Sequence, residues 1–191
     1  MRFFIALEIP EESKIQLENV QQKLKDLFPN IRLTDPEKMH LTLAFIGEEP
    51  DSLKQELIKI IKSATLNIPP FEITPAYIDG FPNIHNPHTI WIGVKGDIDK
   101  LLLIRERIKD NLNDLNLGLD ERRFIPHIAI GKISNFHIDS RTENLLASFM
   151  NINFTQIKIS SIKLFQSIPE NGFHSHNTLA EIKLGNKKLA F

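Results

Sequence analysis

Cysteine is absent from this chain of 191 residues. Disulfide frameworks and zinc or iron–sulfur sites ligated by cysteine are therefore excluded. Apolar runs such as Leu101 to Ile104 are far too short to cross a bilayer. The opening residues also lack the long apolar stretch and cleavage site of a signal peptide. From these absences we expect a cytoplasmic protein with no membrane segment.

An excess of charge of either sign is also lacking, because 23 lysines and arginines stand against 24 acidic residues, for a net charge of −1. Tight, sequence-independent binding to duplex nucleic acid is therefore not expected. Glycine-rich phosphate loops of the Walker or Rossmann type are missing, so no nucleotide or dinucleotide cofactor is assigned. The hydrophobic fraction of 41% is sufficient for one folded domain with a sizeable core.

Hydrophobic periodicity divides the chain into strands and helices. It predicts strands over residues 2–9, 39–46, 89–94, 126–133, 154–166 and 177–184, with a further extended stretch over 70–80. Helical spacing of apolar residues runs from Leu17 to Leu27, from Leu53 to Ala64 and from Ile98 to Leu112, where Leu102 is included in the stripe. A fourth, short helix is predicted over residues 139–149. Trp91 lies on an apolar strand and is expected in the core.

The order strand, helix, strand, helix occurs twice, over residues 2–66 and 88–149. One offset aligns the two copies and places His127 on His40, since 127 − 40 = 87. The pattern predicts an α+β fold with a bilobal, pseudo-two-fold arrangement of two such units, with antiparallel or mixed sheets around a central cleft. We expect a single domain over residues 1–191. Its lobes are built mainly from about 1–80 and 81–191, with strand exchange between them.

Each copy contains a strand that begins with a histidine. Because strand side chains alternate between faces, His40, Thr42 and Ala44 are predicted to share the cleft face, and Leu41, Leu43 and Phe45 the apolar face. In the second copy His127, Ala129 and Gly131 share one face. Two lobes that face each other would therefore bring both histidines to one groove.

Two imidazoles across a groove are suited to phosphodiester chemistry. The pKa of an unperturbed histidine is about 6.5, so one ring can act as a base and the other as an acid near neutral pH. A hydroxyl two residues from each histidine would reach the non-bridging oxygens of the same phosphate. A lone histidine in a strand is more often structural, but matched positions in two similar halves favour catalysis.

Two longer segments resemble the signatures of a known family. The segment 36–48 contains His40-Leu41-Thr42, and the segment 123–132 contains His127-Ile128-Ala129. Both are similar to the motifs of the two-histidine phosphoesterase superfamily, in particular the LigT-like RNA 2′,3′-cyclic phosphodiesterases, also called 2′-5′ RNA ligases. Strands 2–7 and 89–94 and the closing hairpin also resemble members of this family, so the resemblance covers nearly the whole chain.

The resemblance implies metal-independent hydrolysis of RNA 2′,3′-cyclic phosphate ends to 2′-phosphate. By position it makes His40 the general acid and His127 the general base, with Thr42 holding the phosphate. It implies RNA ends as substrate, single-stranded or derived from tRNA, and some relatives also join RNA ends through a 2′-5′ link. We expect a monomer that needs no cofactor and no metal.

Two positions depart from the family pattern. Ala129 stands where members usually carry threonine or serine, so the second phosphate-holding hydroxyl is missing. Lys132 stands where relatives commonly carry an arginine that contacts the phosphate. Lysine keeps the positive charge but loses the bidentate fork of arginine. These changes affect rate and substrate range but leave both histidines in place.

Further candidates have a structural as well as a functional interpretation. Arg122 and Arg123 precede the second histidine strand, and they either attract RNA phosphates or are exposed structural residues. Phe124 either stacks on a base or fills the core. The pair His85 and His88 is predicted in a loop, and the pair His174 and His176 at a hairpin tip that could border the cleft. Close histidine pairs can bind metal, but no carboxylate stands at a ligand spacing and no metal site is assigned.

Two alternative functions remain open from the sequence. One is a non-catalytic module of the same fold that binds RNA or a nucleotide, an interpretation that Ala129 motivates. The other is a phosphodiesterase acting on a small cyclic or 2′-5′-linked nucleotide. The paired histidine strands favour the RNA phosphodiesterase over both.

Overall fold

The computed structural model describes residues 1–119, 123–170 and 173–185. Through the first two thirds of the chain each α-helix is followed by one or two strands. The strands and α-helices are β1 (Arg2–Glu8), α1 (Glu11–Leu27), β2 (Arg32–Leu33), β3 (His40–Glu48), α2 (Lys54–Ala64), β4 (Phe71–Phe81), β5 (Thr89–Gly96), α3 (Ile98–Asp114), β6 (His127–Lys132), α4 (Ser140–Ser148), β7 (Ile157–Ile159), β8 (Ser161–Glu170) and β9 (Phe173–Lys183).

In the described residues the strands form one nine-stranded sheet in the order β7-β4-β5-β6-β3-β1-β8-β9, with β2 added beside β6. All strand pairs in the described part of the chain are antiparallel. The predicted α+β class is confirmed, and of the two sheet types allowed for, the structure has the antiparallel one. The sheet is continuous because β3 and β6 pair at Leu41 and Ile128.

The pairing of Leu41 with Ile128 joins two residues that the sequence offset relates, since 128 − 41 = 87. Residues related by a two-fold axis meet each other at that axis, so a pseudo-two-fold axis passes between β3 and β6. On one side of the axis β6 is followed by β5 and β4, and on the other side β3 is followed by β1 and β8. The strand order is therefore consistent with this axis.

The end of the chain differs from the prediction in two ways. The single strand predicted over 154–166 is two strands, because β7 pairs with β4 near one edge of the sheet and β8 pairs with β1 near the other. In addition β9 begins at Phe173, and His176 pairs with Ser167 inside the β8–β9 hairpin. His174 and His176 therefore lie within a strand and not at a hairpin tip.

The main core contains the apolar faces of the helices and the sheet face that they cover. Leu101, Ile104 and Ile108 of α3 are fully buried, whereas Leu102 is 39% exposed, so its inclusion in the helical stripe was wrong. The helical period turns Ile104, three residues after Leu101, toward the sheet. A separate small cluster lies apart from this core and consists of Phe4, Ala6 and Phe165. No helix of the described chain is long and apolar enough to cross a membrane.

Candidate active site

A β-bulge in β3 decides which of its side chains face the cleft. Ala6 pairs with Thr42 and Ile5 pairs with Ala44, so Leu43 has no partner across the strand pair. An extra residue inverts the alternation of faces beyond it. Leu43 and Ala44 are both buried, and Phe45 is 58% exposed. The prediction that Ala44 lies on the cleft face and Phe45 on the apolar face was therefore wrong.

The second histidine strand has a bulge at the equivalent place. Trp91 pairs with Ala129 and Ile90 pairs with Gly131, which leaves Ile130 without a partner. The bulge buries Gly131 and turns the exposed Lys132 to the cleft side. Lys132 and Phe45 each lie five residues after their histidine, and each reaches the cleft because of the bulge that precedes it.

The register between β3 and β6 sets the arrangement of the four motif side chains. Leu41 lies opposite Ile128 in an antiparallel pair. One residue further along in each direction, His40 lies beside Ala129 and Thr42 lies beside His127. The two histidines are therefore diagonal neighbours on one face of adjacent strands. The two copies of the repeat meet within the sheet, through the pairing of β3 with β6.

Both histidines make the same backbone hydrogen bond. Nδ1 of His40 lies 2.7 Å from the carbonyl oxygen of Lys38, and Nδ1 of His127 lies 2.7 Å from the carbonyl oxygen of Ile125. A carbonyl oxygen only accepts, so Nδ1 carries the proton and donates in each ring. Nε2 of each histidine is left to exchange a proton with a bound molecule.

Burial lowers the pKa of both histidines below the ordinary value. For His40 the loss of solvation is the largest cause, the carbonyl of Lys38 opposes it, and the nearby His127 lowers the pKa further. For His127 burial again dominates, and the carbonyl of Ile125 opposes it. Near neutral pH both rings are therefore mainly neutral in the free protein, and a bound anion would favour protonation of one of them.

Aromatic rings support each histidine from the cleft floor. The ring of Phe4 lies 5.0 Å from that of His40, and the ring of Trp91 lies 5.5 Å from that of His127. Phe81 meets the edge of His127 at 4.9 Å and 86°. Trp91 is buried as predicted, but it packs against His127 and not among the helices. Sequence reasoning missed this role, because burial on either sheet face gives the same apolar pattern.

Two adjoining cavities form the cleft, and Thr42 and Phe45 line both. The first cavity has a volume of about 500 Å³ and is lined by His40, Ala129 and Lys132, together with the basic residues Arg2, Arg32 and Lys38. The second cavity has a volume of about 750 Å³ and is lined by His127, Phe81, Arg105, Arg123 and Phe124. The first cavity thus has more cationic side chains, and the second, called the aromatic cavity below, has the three phenylalanines Phe45, Phe81 and Phe124.

The structure places the predicted residues Arg123 and Phe124 in the second cavity, whereas Arg122 lies outside the described residues. Phe124 is partly buried, with the buried guanidinium of Arg105 5.5 Å from its ring centroid. Sequence reasoning missed Arg105, because a charged residue on a helix is usually solvated and nothing in the pattern marks this one as buried.

Two of the remaining histidines lie in different surroundings. His85 lies in the loop between β4 and β5, where Nδ1 bonds to the carbonyl of Ile138 at 3.1 Å. His176 instead lies beside the centre, with its ring 5.1 Å from that of His40. In residues 1–119, 123–170 and 173–185, no three histidine or acidic side chains are grouped so that they could hold a metal ion.

Comparisons with known proteins identify relatives in sequence and in fold. The family model described as LigT-like phosphoesterase matches residues 7–91. An RNA 2′,3′-cyclic phosphodiesterase of Methanocaldococcus jannaschii is 31% identical over 168 residues, which cover 87% of this chain and 91% of the relative. A solved protein of Thermus thermophilus has a TM-score of 0.80 at 19% identity, over 96% of this chain and 98% of that one. Escherichia coli LigT complexed with 3′-AMP has a TM-score of 0.75 at 18% identity, over 97% and 98% of the two chains.

Proposed function

The chain belongs to the LigT-like phosphoesterase family, and from that premise we propose that it hydrolyses RNA 2′,3′-cyclic phosphate ends to 2′-phosphates. The observation that carries this proposal is the pair of imidazoles on β3 and β6. Each has Nδ1 bonded to a backbone carbonyl and Nε2 left for proton transfer. Two such rings beside one phosphate can supply both proton transfers of the reaction.

The proposed reaction assigns one proton transfer to each histidine. Neutral His127 takes a proton from water as the water oxygen forms a bond to phosphorus. Protonated His40 gives its proton to the 3′ oxygen as the bond from phosphorus to that oxygen breaks, which leaves the phosphate on the 2′ oxygen. The pair then regains its starting state when the proton returns from His127 to His40 through solvent.

Two cleft groups are proposed to hold the phosphate. The hydroxyl of Thr42 lies beside His127 and can donate to a non-bridging oxygen. Lys132 brings a positive charge to the same cleft because of the bulge in β6. Ala129, at the position of the usual second hydroxyl, offers no donor. We therefore expect a slower enzyme than one with hydroxyls at both positions.

The aromatic cavity is the proposed place for the nucleoside. Phe45 and Phe124 offer ring surface for a base, and the cavity of about 750 Å³ is large enough for a single nucleotide. Arg123, which is exposed at the cavity, would attract a phosphate of the same strand. Stacking on such surfaces tolerates different bases, and this suits single-stranded or tRNA-derived ends.

The proposal includes the conditions of the reaction. A strained cyclic ester with a protonated leaving group needs no Lewis acid, so we propose a reaction without metal or cofactor. We further propose a monomeric enzyme that acts in the cytoplasm, where RNA ends occur. The same two proton transfers, with a 5′ hydroxyl in place of water, would give a 2′-5′ linkage and a free 3′ hydroxyl.

The main test is incubation of the protein with a short RNA that ends in a 2′,3′-cyclic phosphate, in EDTA, with products resolved by phosphate position. We expect a 2′-phosphate from the parent, and a loss of at least about 10³-fold in kcat for His40→Ala and for His127→Ala. His85→Ala, in an exposed loop outside the cleft, is the matched control. No product between pH ~5 and ~8, or turnover by either alanine variant at the parent rate, would overturn the proposal.

The two histidine roles are separable with a modified substrate. If sulfur replaces the 3′ bridging oxygen, the leaving thiolate departs without protonation, so the general acid becomes dispensable. We expect this substrate to restore most of the rate of His40→Ala and little of the rate of His127→Ala. If this substrate restored the rate of His127→Ala and not that of His40→Ala, the two assigned roles would have to be exchanged.

A phosphodiesterase acting on a small nucleotide is the second candidate, and the single-nucleotide size of the aromatic cavity favours it. Rates on a cyclic mononucleotide and on an RNA end decide between the two. A kcat/KM at least tenfold higher on the RNA end supports the main proposal, and equal values support the small substrate. Binding without turnover would instead favour the non-catalytic module.

A further inference from the structure

The surroundings of the two histidines differ in their hydrogen-bond donors. Thr42 lies beside His127 on the neighbouring strand, and its counterpart beside His40 is Ala129, since 42 + 87 = 129. A hydroxyl can therefore reach a phosphate from the side of His127, whereas only a methyl group faces it from the side of His40. A phosphodiester anion has two non-bridging oxygens, and Thr42 alone can satisfy only one of them.

An imidazole from another strand lies on the side where the hydroxyl is missing. His176 of β9 has its ring 5.1 Å from that of His40, at 82°, and 4.9 Å from that of Phe4. It lines the same cavity as Ala129. The ring that meets the edge of His127 in a similar way is Phe81, which has no polar atom. The side of His127 thus has the hydroxyl of Thr42 and the phenyl ring of Phe81. The side of His40 has the methyl group of Ala129 and the imidazole of His176.

The nitrogens of His176 are available to a ligand. Across residues 1–119, 123–170 and 173–185, none forms a hydrogen bond with this ring, whereas Nδ1 of His174 is bonded to the hydroxyl of Ser167 at 3.0 Å. His176 is only partly exposed, and its place in the β8–β9 hairpin is set by its pairing with Ser167. The ring is therefore held by strand pairing and aromatic contacts, with its polar atoms left for the cavity.

The electrostatics of the cavity keep this imidazole neutral. Burial is the largest cause, and electrostatic interactions with His40, Lys38 and His174 add to it, so the pKa of His176 is lowered to about 4. Among the described residues, the charged side chains around the cavity are those of Arg2, Arg32, Lys38, Lys132 and Asp35. A neutral imidazole carries one N–H donor and one acceptor, so at neutral pH it can donate to an anion without adding a charge beside His40.

We propose that His176 is a phosphate-binding residue of this site and donates a ring N–H to the non-bridging oxygen on the side of Ala129. The inference rests on the proposed function, because it requires a phosphate that reacts between His40 and His127. Thr42 binds one non-bridging oxygen and His176 binds the other. His176 thus supplies the donor that the second histidine motif lacks.

The kinetic test is a double-mutant cycle between His176 and Ala129. His176→Phe keeps the ring and removes the donor, and we expect kcat/KM on the cyclic-phosphate RNA to fall by about 10- to 100-fold. His176→Gln keeps an N–H donor and should retain most of the rate. Ala129→Thr adds the missing hydroxyl, so in that background His176→Phe should cost less than about threefold.

The matched control is His174→Phe, on the same face of β9 and with its ring nitrogen already bonded to Ser167. We expect it to change kcat/KM by less than about threefold. Thermal unfolding of each variant checks that the fold is kept. A His176→Phe enzyme as fast as the His174→Phe enzyme would overturn the inference, and so would equal losses in the parent and Ala129→Thr backgrounds.

A binding measurement separates this inference from the proposed function. Inorganic phosphate is titrated into protein with ¹⁵N-labelled histidine, and the imidazole signals are followed by NMR. We expect the signals of His40 and His176 to saturate with one Kd, and His176→Phe to raise that Kd by about 5- to 10-fold, with His174→Phe unchanged. If the parent binds phosphate in this way without turnover, the proposed function fails and His176 still stands as the phosphate donor. If turnover is present and the His176 signals do not respond, the inference alone fails.

Discussion

At the scale of single residues, each histidine of the candidate active site is oriented by a hydrogen bond to the backbone of a nearby residue in the chain. Nδ1 of His40 and Nδ1 of His127 both donate to the carbonyl two positions earlier. This contact is local in sequence, so it forms as soon as the chain enters the strand. It fixes the tautomer without a separate carboxylate, so neither ring depends on an acidic partner for its orientation.

The first prediction at this scale concerns pH. The pKa of His40 and that of His127 are both lowered by burial, and kcat/KM reports the ionisation of the free enzyme. Catalysis needs one ring protonated and the other neutral, and this state is most populated between the two lowered values. We expect kcat/KM to be maximal below pH ~6.5 and to fall about tenfold per unit at higher pH. The profile of kcat should lie at higher pH, because a bound anion stabilises the imidazolium.

This pH dependence is measured as initial rates on the cyclic-phosphate RNA from pH ~4.5 to ~8.5 at constant ionic strength. The His85→Ala variant should reproduce the parent profile, since His85 lies in a loop outside the cleft. A kcat/KM that stays level or rises between pH ~6.5 and ~8 would contradict burial as the cause of the lowered pKa values.

Some residues of the candidate active site could be predicted from the sequence, and others could not. His40, Thr42 and His127 were predicted because strand alternation and the repeat are local patterns, and the register of β3 and β6 brings them together. His176 could be placed only as a possible neighbour of the cleft. Its position depends on pairing between β1 and β8, which are more than 150 residues apart in the chain, and no local pattern encodes that contact.

At the scale of elements, the bulges in β3 and β6 give the cleft two side chains that plain alternation would direct to the core. Alternation predicted Phe45 on the apolar face, and the same rule would have buried Lys132. Each bulge arises from a mismatch with the partner strand, Leu43 against β1 and Ile130 against β5. A single strand read by itself does not contain this information, and this is why the prediction failed there.

The bulge in β3 leads to a prediction about stability and binding. Leu43 is buried at 1% exposure, so Leu43→Ala should lower the free energy of unfolding by about 2–5 kcal/mol. Phe45 is exposed, so Phe45→Ala should change it by less than about 1 kcal/mol and should instead raise KM for RNA several-fold. Urea unfolding and steady-state kinetics on both variants check this. An unbulged strand would bury both side chains, so Phe45→Ala would then also lower the free energy of unfolding, by about 3–5 kcal/mol.

A second prediction at this scale concerns the turn from β5 into α3. Gly96 has a φ of +111°, and a Cβ there would lie 2.6 Å from the carbonyl oxygen of Glu72. That oxygen cannot withdraw freely, because it accepts a hydrogen bond from the amide of Asp97 at 2.9 Å. Gly47 has a similar φ of +93° with open space around it, so it is the matched control.

We expect Gly47→Ala to cost about 1–2 kcal/mol, which is the backbone contribution alone. Gly96→Ala should cost at least about 1 kcal/mol more, because the clash with Glu72 adds to the same backbone strain. Chemical unfolding of the two variants measures the difference. Equal losses would mean that the turn relaxes away from the Glu72 carbonyl.

At the scale of the whole molecule, the charge is nearly balanced and yet unevenly distributed. The net charge is −1, whereas in the described part of the chain four cations and one carboxylate surround the cavity beside His40. Two of these cations are partly neutralised, since Arg2 lies 3.1 Å from Glu48 and Lys38 lies 3.6 Å from Asp35. The molecule should therefore attract a few phosphates at the cleft and bind long duplexes weakly.

This distribution predicts a weak dependence of RNA binding on salt. For single strands the slope of log K against log salt is about −0.7 for each phosphate that is neutralised, so we expect a slope between about −1 and −3. Lys132→Ala should reduce its magnitude by about 0.7. Lys59→Ala, exposed on α2 and paired with Glu56, should leave it unchanged. A slope steeper than about −5 would indicate an extended binding surface outside the cleft.

We propose that the chain is a single domain of two pseudo-symmetric lobes over residues 1–191, built mainly from about 1–80 and 81–191. Strand exchange supports this division, because β4 from the first part of the chain pairs with β5, and the β8–β9 hairpin from the second part pairs with β1. Neither lobe would then be complete without the other. Expression of residues 1–80 alone should give an unfolded fragment.

The pairing of β3 with β6 has a mechanical consequence. If the lobes rotate relative to each other, the rotation axis is the narrow seam at Leu41 and Ile128, and a point moves in proportion to its distance from that axis. His40 and His127 are the residues next to the seam, so their lever arms are the shortest in the cleft. Flexing would widen or narrow the outer parts of the two cavities while the spacing of the imidazoles stays nearly constant. Substrates of different bulk could then be admitted to a centre whose geometry does not change.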